Sequence, residues 1–123
     1  MSDDPSKAIA EVEAMRPDWS LVASLVGGTK AMRAAGQQYL PMWPAEETDA
    51  YANRLALSTL LPVFAETVQN MTGRVFAEAI TLDKDVPPTI AALTENIDRQ
   101  GNNLQVWSQS LFSAGLAYGL CHV

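Results

Sequence analysis

The chain has 123 residues, 48% hydrophobic and 18% charged, with 14 Asp plus Glu against 8 Lys plus Arg and a net charge of −6. That length suits one domain, residues 1–123, and the apolar content excludes a wholly disordered chain. The acidic balance excludes a DNA-coating protein, which needs a basic face to displace counterions; the single cysteine, Cys121, excludes an internal disulfide and suits a reducing cytosol.

The opening MSDDPSKAIAEVEAM is polar and acidic, without the apolar run of a secretory leader. Asp4 before Pro5 predicts a helix start, because proline is tolerated in the first turn. The helix carries Ile9 and Val12 and is expected to end near Arg16, where Pro17 breaks or turns it. Trp19, Val22 and Val26 then share one face of a second short helix. Gly27-Gly28 closes it, and Thr29 is the expected cap of a third helix that stops near Gly36. Residues 37–47, QQYLPMWPAEE, hold two prolines and no helical period. They read as an extended loop tucked against the body by Met42 and Trp43.

The strongest periodicity follows. Thr48 is the expected N-cap and Asp49 favours the helix dipole. Leu57, Leu60, Phe64, Val68, Met71 and Val75 recur at helical spacing. Pro62 lies within this run, and a kink or break is expected there because its ring clashes with the Ser58 carbonyl. The most apolar stretch, LALSTLLPVFAETV, is too short and too polar to cross a bilayer, which takes about 20 apolar residues.

Residues 79–88 read as a linker, with Ile80 and Leu82 in a short extended piece. Pro87-Pro88 begins a helix through Ile90, Leu93 and Ile97 to Gly101. Asn102 or Asn103 caps the last helix, whose stripe is Leu104, Trp107, Leu111, Gly115 and Tyr118. That helix stops at Gly119. Leu120 to Val123, LCHV, read as the start of a strand whose partners lie further on, so the chain is expected to be the front part of a longer polypeptide. The fold class is mostly α: an irregular multi-helix domain with short extended segments, an incomplete α+β arrangement.

Residues that carry chemistry are sparse. Cys121 and His122 are the only cysteine and histidine, and neighbours on a strand point to opposite faces. They supply neither a zinc site nor a nucleophile with its base. GGTK at Gly27 to Lys30 lacks the order and spacing of a phosphate loop. Glu46, Glu47 and Asp49 cluster where carboxylates serve a helix dipole. Asp83-Lys84-Asp85 reads as a solvated turn, and Asn70-Met71-Thr72, although it matches a glycosylation triplet, is discounted because it falls within a predicted buried helix. Arg33, Arg54, Arg74 and Arg99 are scattered, as ordinary ion-pair partners are. Trp19, Trp43, Trp107, Tyr51 and Tyr118 read as core or interface anchors. No catalytic, cofactor-binding or metal-ligating residue is assigned. The residues expected to contact another subunit or a missing segment are Trp43, Tyr118, Leu120 and Val123.

Three pieces in order carry a resemblance: Gly27 to Tyr39 with Leu40-Pro41; Tyr51 to Arg54 leading to Thr67-Val68 and Gly73-Arg74-Val75-Phe76; and Ile97-Asp98 with Gly101, then Ala117-Tyr118-Gly119. From about Arg16 to Val123, the chain resembles the N-terminal, wing region of portal-like proteins of tailed phages and prophages. The resemblance implies a structural protein without catalysis or cofactor, part of a ring scaffold for DNA packaging and head–tail joining. It implies copies of itself as partners, in a ring or as a dimer of the fragment, together with other phage head proteins. Sequence-specific nucleic-acid binding and a membrane are not implied. The expected location is the bacterial cytoplasm during assembly and then the virion. The stem and clip regions of that family are absent from these residues. The alternative, a stand-alone small helical interaction module, needs only the helices and their apolar faces.

Overall fold

The structure, a computed structural model, describes residues 7–121. The chain is mostly helical, in the order α1 (Ala10–Val26), α2 (Gly28–Ala35), a 3-10 turn (Gly36–Gln38), α3 (Thr48–Leu57), α4 (Val63–Val75), α5 (Pro88–Leu93) and α6 (Leu104–Tyr118). No strand occurs among the described residues. Two compact units make up the chain, Met1–Ala65 and Glu66–Val123. The expected cap at Asp4 lies outside the described residues.

In the first unit, α1 runs through Pro17 instead of ending before it. A proline inside a helix removes one N–H, here the bond to the Glu13 carbonyl, at a cost of about 3 kcal/mol. Val12, Met15, Trp19 and Val22 are half-buried on both sides of the proline at three- and four-residue steps. One continuous apolar face spans the defect, and its burial offsets the missing bond. Ile9 and Val26, expected on that face, are exposed.

Gly27 ends α1 and donates its N–H to the Ala23 carbonyl at 2.9 Å. Gly28 takes the left-handed conformation, φ 69°, that turns the chain into α2. At Gly27 the constraint is space: a Cβ there would lie 2.6 Å from the Ala31 Cβ. Thr29 does not cap α2, which has no side-chain cap. Its Oγ1 accepts the Leu60 N–H at 3.1 Å instead. One turn on, Arg33 donates Nε and Nη2 to the Ser58 carbonyl at 2.9 and 2.7 Å. α2 therefore holds the segment where the chain leaves α3.

That segment, 58–62, is the break expected at Pro62, and it separates α3 from α4. The N-cap of α3 is Glu47, one residue before the expected Thr48, and no side chain caps it. Tyr51 is buried on α3.

Along α4 the inward row is Phe64, Val68, Thr72 and, just past the helix, Phe76, one at every fourth position. Val68 is 7% exposed, whereas Met71 is 49% exposed and Val75 also faces out. The expected stripe is thus narrower than its spacing implies, and Leu57 leaves it at the break. Asn70 is exposed, so the triplet at 70–72 sits on a surface helix and not in a buried one.

In the second unit, Phe76 meets Phe112 of α6 edge to face, with ring centroids 5.7 Å apart. Ile80 and Leu82 lie in no strand; the Ile80 N–H is donated to Gln105 Oε1 at 2.8 Å. The helix expected from Pro88 to Gly101 stops at Leu93. Short polar side chains take over the backbone beyond it. Asn96 Oδ1 accepts the Gly101 N–H at 2.8 Å, and Asp98 Oδ1 accepts those of Gln100 and Asn102 at 2.8 and 3.2 Å. Such bonds compete directly with helix formation, so Ile97 ends in a turn. The Asn102 side chain, then the Gln100 and Asn102 N–H groups, hold the Asp98 carboxyl below its usual range.

Asn103 caps α6: its Oδ1 accepts the Val106 N–H at 3.0 Å. Asn103→Ala is expected to destabilise this unit by about 1 kcal/mol, while Asn103→Ser loses little. Urea midpoints of the two variants would check this; equal midpoints would deny the cap a role. Gly119, at φ 71°, closes α6 as expected. Leu120 and Cys121 belong to no strand, and His122 and Val123 lie outside the described residues.

Candidate interaction surface

Arg54 organises the loop before α3. Its Nε donates to Glu46 Oε1 at 2.7 Å and its Nη2 to Glu46 Oε2 at 2.6 Å, a two-pronged pairing that suits the planar guanidinium. Nη2 also reaches the Pro41 carbonyl at 2.9 Å. The guanidinium carbon lies 5.0 Å from the centre of the Trp43 ring and 5.4 Å from that of Tyr51, within cation–π range of both. Glu46 Oε2 also accepts the Trp43 N–H at 3.1 Å. The loop is thus pinned at three points by one side chain of α3.

This arrangement corrects two expectations. Trp43 does not tuck the loop against the body: it is 66% exposed and packs against Arg54. Met42 is half-buried. Glu46 is not one of three carboxylates serving a helix dipole: its side chain is 8% exposed and both oxygens are committed to Arg54. Glu47 and Asp49 remain exposed. Among the described residues, no group of three or more His, Cys, Asp or Glu side chains is placed to hold a metal ion. The Glu46–Arg54 pairing was open to sequence reasoning only as an acid just before a helix and an arginine two turns into it.

The hydrogen bonds from Arg54, first of all, hold the Glu46 carboxyl below the ordinary glutamate value of 4.5, with the Trp43 N–H adding to the effect and burial opposing it. A carboxyl depressed in the folded state contributes stability that is fully present above its unfolded pKa and lost as pH falls through its folded one. The pinned loop is therefore expected to survive to pH 4.5 and open only in stronger acid. A carboxyl NMR titration should place the Glu46 midpoint below 4.5; a midpoint at or above that value would contradict the pairing.

Apolar side chains lie on the surface of each unit. In the first, Leu57 is 80% and Leu61 75% exposed, with Val63 also open, so the turn between α3 and α4 forms an apolar knuckle. A hollow of about 120 Å³ is lined by Met32, Tyr39, Leu40, Leu55 and Leu60 along with Ser58 and Thr59. In the second, Val106, Leu116 and Leu120 are exposed, and a hollow of about 150 Å³ lies near Ile80, Thr94 and Asn103. Both hollows fall below the roughly 300 Å³ at which small-molecule sites begin. Among the described apolar residues, only Tyr51 and Val68 are buried, at 9% and 7% exposure.

Of the expected contact residues, Trp43 belongs to the first unit and Tyr118 and Leu120 to the second. Tyr118 is half-buried at the end of α6, and Leu120, beyond Gly119, is 53% exposed. Val123 lies outside the described residues. No helix among the described residues is long and apolar enough to cross a membrane. No family model, curated protein or solved structure matches the chain.

Proposed function

We propose that this chain is a structural protein that works by contact with other polypeptide and not by catalysis, as a wing-like part of a portal-like protein of tailed phages or prophages. The observation that carries the structural half is the apolar surface. Nearly half the residues are hydrophobic, yet Leu57, Leu61, Val106 and Leu120 all lie open to solvent. Single exposed apolar residues are common, but apolar residues close together, as Leu57, Leu61 and Val63 are between α3 and α4, ordinarily mark a surface covered by a neighbour. The phage half rests on the ordered pieces from Gly27 to Gly119. In this reading the partners are further copies of the chain and other phage head proteins, encountered in the bacterial cytoplasm during assembly and retained in the virion.

Light scattering across a wide concentration range tests the structural half. The mean mass is expected to rise with concentration, and Leu57→Glu with Leu61→Glu is expected to lower it. A strict monomer throughout would count against a scaffold subunit. The genes flanking the source gene test the phage half separately: capsid, terminase or tail genes beside it support the reading. Without them, the stand-alone helical module is left as the account of the same surface.

A further inference from the structure

We draw no further inference here: the strongest candidate, the apolar knuckle of Leu57, Leu61 and Val63 between α3 and α4, is an unpartnered face, and nothing in the structure shows what covers it.

Discussion

Val68→Asp is expected to abolish the cooperative thermal transition seen by circular dichroism, whereas Met71→Asp, one turn along the same helix, melts close to wild type. The two substitutions share a helix and a change of charge, and the loss of helix propensity is larger for Met→Asp than for Val→Asp, which runs against the expected order. They differ in burial: Val68 is 7% exposed and Met71 is 49% exposed. At Val68 the change forfeits the transfer energy of a buried aliphatic side chain, about 2 kcal/mol, and forces a carboxyl into its place at about 1–3 kcal/mol more. A domain's whole stability is about 5–15 kcal/mol, and a chain with so few buried apolar residues belongs at the low end. Val68→Ile, which keeps the aliphatic character, should retain the transition. If Met71→Asp proved the more damaging, the inward row Phe64, Val68, Thr72 and Phe76 would be wrong.

Arg54→Ala is expected to free the loop from Tyr39 to Glu47 while leaving α3 helical. One substitution removes the partner of both Glu46 oxygens, the donor to the Pro41 carbonyl and the cation over two aromatic rings. It also leaves a carboxylate with little solvent access and no counter-charge, so Glu46 must turn outward. The sensitive reporter is the Trp43 amide, which is bonded to Glu46 Oε2. Its hydrogen exchange should accelerate severalfold in Arg54→Ala, with no comparable change at the Val106 amide capped by Asn103. Arg54→Lys should behave more like Ala than like wild type, because an ammonium cannot reproduce the two-pronged geometry or stack on the rings. Unchanged exchange at Trp43 in both variants would mean that the loop is fixed by something else.

Local chemistry made part of this fold legible. Asn103, Gly119 and the Gly27-Gly28 pair mark helix ends through groups within four residues of one another, so the sequence alone carries the signal. Pro62 likewise announces the break between α3 and α4. The errors arise where a distant or competing partner decides. Thr29 has the right chemistry for a cap, but it lies inside α2, and its hydroxyl accepts the distant Leu60 N–H instead. Pro17 has the right chemistry for a stop, but an apolar face continuous on both sides of it outweighs one lost hydrogen bond. Ile97 keeps helical spacing with Ile90 and Leu93, yet Asn96 and Asp98 bind the backbone around it more effectively. At the candidate surface, the size of Trp43 argues for burial, and only its partnership with Arg54 explains why it stays outside. The exposure of Leu57 was hidden for a related reason: its spacing places it on a stripe that the chain itself interrupts.

The corner between α1 and α2 sets a rule for descent. Position 27 has an ordinary φ of −71°, so backbone conformation does not demand glycine there; the nearness of Ala31 does. Gly73, in α4, has no atom beyond its chain neighbours and its own helix backbone within 4 Å of where its Cβ would stand, and its φ is not among the positive ones. In any lineage carrying this fold, 73 is free to drift and would gain helix propensity by becoming alanine. Position 27 is held to glycine from two sides, by the Ala31 Cβ at 2.6 Å and the Ala23 carbonyl oxygen at 3.1 Å, so a side chain there obliges both neighbours to shift.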